Sequence, residues 1–249
     1  MDVIWVEQSA GDVPTEDDWL SAREQSVLGD MRIPKRRADW RLGRWTAKHA
    51  VAAYLEFPAD AVSLATIEIR QSASGAPETF FQGTPANLSI SISHRAGIGA
   101  SAGAAPGTML GCDLELIEPH SDAFIADYFT DDERVMVAQT PAADRTCIAA
   151  LIWSAKESAL KALGMGLRLD TRCVSVVLSG HPREKAGEPR KPRPDPSVSA
   201  LPNTTADWSP LRVCHANHQS FYGWWRSAGN LLRTVVTTPP TSPPTVLTL

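Results

Sequence analysis

The chain has 249 residues and 43% hydrophobic content, enough to bury a sizeable core as one large domain or two small ones. A formal net charge of −4 excludes a global attraction to nucleic acid or to an anionic membrane surface, so any anion site must be a local basic patch. Four cysteines without a CxxC pair argue against a zinc site or a disulfide framework, and no apolar run approaches the roughly 18 residues of a membrane helix.

In chain order, DVIWVEQ reads as a short strand whose flanking acids fit neither a signal peptide nor an anchor, which places the protein in the cytoplasm. TEDDWLSAREQSVL reads as a helix opened by Thr15, and a longer helix follows Pro34. In that longer helix Arg37, Arg41, Arg44 and Lys48 recur at i, i+4, i+7 and i+11 and form one basic stripe. The stripe is either a solvated face or an anion clamp, and the planar guanidinium suits phosphate. SLATIEIRQS and LSISISH alternate as strands, and GIGASAGAA should hairpin onto the second of them, with TMLGCDLELI beside it. His94 closes the apolar row of LSISISH, as a structural residue or, with Ser93, as a phosphate contact.

Within GCDLE, strand alternation puts Asp113 and Glu115 on one face, where two carboxylates repel unless a cation lies between them. Helices follow at DDERVMVAQ and ADRTCIAALIWSAKESALKAL, then strands at CVSVVLS, LRVCHANH and FYGWWRS. In the longer helix Glu157 precedes Lys161 by four residues, which by itself describes an ordinary exposed pair. Trp153 and Leu160 share that face, which suggests a covered cleft. Three carboxylates without His or Cys are hard oxygen donors, which suit magnesium and predict a phosphorylated substrate. Residues 181–196, proline-rich, charged and without apolar side chains, read as an exposed insertion, and residues 237–249 as a disordered tail.

Taken together, RLGRWTAK, SISHR, GCDLE and WSAKESALKALGMGL resemble the signature regions of the 4′-phosphopantetheinyl transferases of the surfactin-synthetase-activating (Sfp) type, over about residues 30 to 180. The compound pattern GxDxE followed by WxxKExxxK carries most of the weight. The resemblance implies an α+β fold of two similar subdomains related by a pseudo-twofold, residues 1–108 and 109–236, with the active site in the cleft between them. It implies transfer of the phosphopantetheine arm of coenzyme A to a serine of an apo acyl or peptidyl carrier protein. Asp113, Glu115 and Glu157 would hold magnesium. Arg41, Arg44, Lys48, Ser93, His94 and Lys156 would contact the coenzyme, while Glu157, Lys161 and Glu133 would serve catalysis. Glu133 has a structural alternative, because Thr130-x-x-Glu133 is also a capping box. Two positions depart from the family's pattern: Arg95 stands where Ser is frequent, and Ala76 where Lys is frequent. The expected partners are coenzyme A and a carrier protein, with no nucleic acid or membrane, and the expected state is a monomer. The rival readings are a non-catalytic binder of coenzyme A or carrier and another magnesium-dependent phosphoester enzyme.

Overall fold

A computed structural model describes residues 3–178 and 207–248; the proline-rich insertion expected at 181–196 lies outside the described residues. The chain runs β1 (Ile4–Ser9), α1 (Ala22–Gly29), α2 (Pro34–Tyr54), α3 (Ala61–Ala65), β2 (Ile67–Gln71), β3 (Pro77–Phe81), β4 (Thr84–Pro85), β5 (Ser89–Arg95) and β6 (Ile98–Ala104). It continues with β7 (Met109–Leu116), α4 (Asp122–Tyr128), α5 (Asp131–Gln139), α6 (Ala142–Ala162), β8 (Val174–Leu178), β9 (Ser209–His215), β10 (Ser220–Ala228), β11 (Leu231–Thr238) and β12 (Thr245–Leu247). The architecture is α+β, as expected. One sheet has the order β12-β1-β6-β5 and packs on α2, a second has the order β7-β11-β10-β9-β8 and packs on α6, and β2-β3-β4 form a small third sheet.

Local sequence explains where the elements begin. The first helix starts at Ala22 and not at Thr15, because Ser21 and Glu24 form the capping box: Glu24 N donates to Ser21 Oγ and Ser21 N to Glu24 Oε2. Pro34 opens α2 at a position where its missing N–H costs nothing. The small residues of β6 let α2 approach, since a Cβ on Gly99 would lie 2.6 Å from Thr46 Oγ1. Alternation in β5 sends Ile90 to the core under α2 and turns Ser91 and Ser93 the other way.

Those serines join the two halves. Cys112 N donates to Ser91 Oγ at 2.9 Å and Leu114 N to Ser93 Oγ at 3.2 Å. β7 therefore lies against β5 through side-chain hydroxyls, while its backbone ladder pairs antiparallel with β11. This corrects the expectation that TMLGCDLELI pairs beside GIGASAGAA. A core of Val3, Trp5, Ala102, Leu110, Leu114 and Val235 fills the junction, flanked by separate cores under α2 and α6. The expected disordered tail is also corrected: Thr245 to Leu247 pair parallel with Ile4 to Val6, where β1 offers an unpaired edge.

Each half contains the same buried lock. Glu24, at the third position of α1, receives Ile69 N from β2 and pairs with Lys48 of α2, which also donates to the carbonyls of Trp19 and Leu64. Glu133, at the third position of α5, receives Val176 N from β8 and pairs with Lys156 of α6, which also donates to the carbonyls of Thr171 and Val174. Both lysines are fully buried. A buried pair so completely hydrogen-bonded is costly to break from one side, by about 3–5 kcal/mol.

Candidate active site

Between the halves lies a cleft of about 1500 Å³, whose lining includes Arg44, Arg70, Ala76, His94, Lys161 and Arg168. One close approach sets its floor. A Cβ on Gly111 would sit 1.8 Å from the Ser158 carbonyl oxygen and 2.7 Å from Ala162 N, so the backbone of α6 rests directly on β7. Only glycine permits this contact, which carries Glu157 and Lys161 of α6 over Asp113 of β7.

Asp113 is buried and surrounded by donors. Its Oδ1 accepts from Lys161 Nζ at 2.7 Å and from Ser93 Oγ at 2.9 Å, and its Oδ2 accepts from Ser154 Oγ at 2.9 Å. Behind Ser154, the hydroxyl of Thr234, the cross-strand neighbour of Asp113, lies 2.8 Å from Ser154 Oγ and 2.7 Å from Ser158 Oγ. Lys161 is held additionally by Ser93 Oγ and the Cys112 carbonyl. Burial pulls its ammonium toward deprotonation, but Asp113, Cys112 and Glu157 outweigh it and hold Lys161 above its usual value.

The other two carboxylates face the same cluster. Glu115 pairs with Arg95 at 3.0 Å and accepts from Leu116 N at 2.8 Å. Burial raises its carboxyl above the ordinary range. Glu157, 4.0 Å from Lys161, is pushed from 4.5 to about 7, first by burial and then by the Asp113 carboxylate, with Glu115 adding to the repulsion. Three mutually repelling oxygen donors fit a hard divalent cation in charge and in chemistry. As the side chains stand, no three such groups among the described residues close around one point, and each carboxylate has a cation, Lys161 for Asp113 and more distantly for Glu157, and Arg95 for Glu115. Lys161 is also the member of the cluster that reaches the cleft wall.

The structure thus gathers Asp113, Glu115, Glu157, Lys161 and Ser93, and sets Arg44 and His94 on the cleft. Partial burial pushes the His94 imidazole below its ordinary value, against the pull of Asp39. Ser93 is buried, donating to Asp113, so its place is beside the carboxylate. Four expectations are corrected. Lys48 and Lys156 are sealed in the two locks and do not line the cleft. Glu133 is 1% exposed, with one oxygen on the Thr130 N–H and the other on Val176 N, so its position is that of a cap and counter-ion. Arg41 is spent on the carbonyls of Pro14, Thr15 and Glu16 and on the Asp17 carboxylate. The basic stripe, whose Arg37 reaches the Leu28 carbonyl, therefore ties down the segment before α2 and leaves Arg44 alone to face the cleft. Sequence reasoning missed Ser154 and Thr234 because single hydroxyls carry no spacing signal.

Residues 109–201 match the family model of the 4′-phosphopantetheinyl transferase superfamily, which assigns this stretch, though not the chain as a whole, to a superfamily of transferase enzymes. Among solved structures, the chain is similar to a Helicobacter pylori holo-[acyl-carrier-protein] synthase in complex with coenzyme A, at 19% identity and a TM-score of 0.34, covering 41% of this chain and 98% of that one. A comparison with curated proteins finds no match.

Proposed function

We propose that the protein transfers the 4′-phosphopantetheine arm of coenzyme A to a serine of an apo acyl or peptidyl carrier protein, as a transferase of the Sfp type. One observation carries the reading: the GxDxE strand and the WxxKExxxK helix, both inside the matched stretch, meet at the Asp113–Lys161 contact of 2.7 Å on the wall of a large cleft. Support for two similar subdomains comes from the repeated lock, in which a capping-box Glu meets a buried Lys of the long helix and a strand N–H in each half. No described helix is long and apolar enough to cross a membrane. A cytoplasmic monomer acting without nucleic acid remains part of the proposal.

In the reaction, the carrier serine oxygen bonds to the phosphorus that bears the pantetheine arm. The bond from that phosphorus to the bridging oxygen breaks, adenosine 3′,5′-bisphosphate leaves and the serine proton passes to a base. Asp113, Glu115 and Glu157 would hold magnesium, which supplies charge neutralisation at the diphosphate when bound. Lys161, already at the cleft wall, would neutralise the oxygen of the leaving phosphate, and Arg44 and His94 would orient the coenzyme's phosphates. Of the two candidate bases, Glu133 is sealed away in its lock, which leaves Glu157, beside Asp113 and Lys161, for that role.

The test is the intact mass of several apo carrier proteins after incubation with coenzyme A, magnesium and the protein. A phosphopantetheine gain that is lost in Asp113→Ala and Glu157→Ala supports the reading. No gain on any carrier with folded protein overturns it, and phosphate release without a carrier points to a phosphohydrolase instead.

A further inference from the structure

We propose that Arg95 is a resident counter-ion of the carboxylate cluster, held on Glu115 and Glu118, and that a divalent cation entering the cluster must displace it from Glu115. The inference rests on the metal reading above and adds a chain-built competitor to it. Arg95 ends β5 immediately before a turn in which Ala96 and Gly97 take φ values of 51° and 75°. Its Cα is thus fixed at the junction of the halves, while its side chain crosses to β7, placing Nε 3.0 Å from Glu115 and Nη2 2.7 Å from Glu118.

Charge explains why it lies there. Asp113, Glu115 and Glu157 lie near enough to repel one another, and two tethered cations meet them: Lys161 pairs with Asp113 at 2.7 Å and with Glu157 at 4.0 Å, and Arg95 pairs with Glu115 at 3.0 Å. Without them the three anions would face one another in a partly desolvated pocket. The two cations differ in how firmly they are held. Lys161 has three acceptors, Asp113 Oδ1, Ser93 Oγ and the Cys112 carbonyl, in the wall of the cleft. The Arg95 side chain is 41% exposed, has two ion pairs among the described residues, and its Nε lacks a well-aligned hydrogen bond there. Glu118 is 50% exposed, so it offers Arg95 an anchor in the solvent when Glu115 is taken. Arg95 is therefore the cation that yields. Glu115, released, is free to turn toward Asp113 and Glu157, and the diffuse arrangement of the three carboxylates becomes the form of the site in which the protein's own cations balance it.

The experiment is a calorimetric titration of the full chain with Mn²⁺, without coenzyme or carrier, comparing the unaltered protein, Arg95→Ser, Glu118→Gln and the double variant, with thermal unfolding as the check on folding. Arg95→Ser should bind Mn²⁺ about two- to fivefold more tightly, the range of a partly exposed ion pair. Glu118→Gln should weaken binding, because Arg95 then rests wholly on Glu115, and should lose most of that effect when Arg95 is already Ser. An unchanged or weaker affinity in Arg95→Ser overturns the inference, as does strict additivity of the two substitutions, which would mean a diffuse charge effect. Absence of Mn²⁺ binding in every variant overturns the metal site and this inference together, so the two failures are distinct.

Discussion

Asp113 shows how one side chain is prepared for charge: a hydroxyl from each half and an ammonium fix both of its oxygens before any ligand arrives. Strand alternation put Asp113 and Glu115 on one face and the helical period put Glu157 with Lys161, while the meeting of the two faces was what the resemblance implied. The fates of the basic residues were not legible in the sequence. Arg41 and Lys48 have the right type and spacing for a phosphate clamp, yet their charges go to carbonyls and carboxylates of the segment that precedes α2 and, for Lys48, also to the Leu64 carbonyl of α3, a tertiary choice that no local pattern encodes. His49, on the same helix, is 8% exposed; neither of its ring nitrogens has a partner among the described residues, and its centroid lies 4.4 Å from the Trp45 ring. Burial pushes its imidazole below the ordinary 6.5, so the fold prefers it neutral while the unfolded chain takes up a proton. Its contribution to stability is therefore present above pH 6.5 and lost as pH falls below that value. Urea unfolding at about pH 7.5 and about pH 5.5 should show a smaller acid-dependent loss in His49→Leu than in the unaltered protein. Equal losses would mean that the ring is solvated or paired in solution.

At the scale of elements, the position of α6 is decided by a missing side chain. The first Gly of GCDLE reads in sequence as part of a motif, and the structure supplies the physical reason: helix backbone occupies the space a Cβ would need. Gly111→Ala should displace α6 from β7, separate Lys161 and Glu157 from Asp113, and cost about 1–3 kcal/mol or more in urea unfolding, because backbone on both sides cannot yield cheaply. Transfer to a carrier should fall with it, even at temperatures where the variant remains folded. A variant of unaltered stability and activity would show that the two elements do not touch as described. Existence and type of the long helices and of most strands were readable from periodicity. The partner of β7 and the pairing of β12 were not, because each depends on contacts across the chain, whereas the start of α1 lay within local reach in the Ser21-x-x-Glu24 capping box.

Among the described residues, the sheet on α2 and the sheet on α6 are joined by a junction core, by serine hydroxyls of β5 on the backbone of β7, and by Glu7 of β1, which receives Arg233 of β11 at 2.5 Å and Arg226 of β10 at 3.4 Å. The cleft between them is lined by Arg44, His94 and Lys161 among others. The family resemblance carried by the compound motif implied such a cleft, since its two parts come from a strand and a distant helix. The repeated Lys–Glu lock was hidden, since its lysines looked like ligand contacts. The account stands on the carboxylates and Lys161 converging on one diphosphate. Anomalous diffraction from crystals grown with coenzyme A and Mn²⁺ tests this most directly. It should show one Mn²⁺ peak bounded by Asp113, Glu115 and Glu157, with the coenzyme's diphosphate beside it and next to Lys161; a peak elsewhere, or a diphosphate seated away from Lys161, would contradict the account.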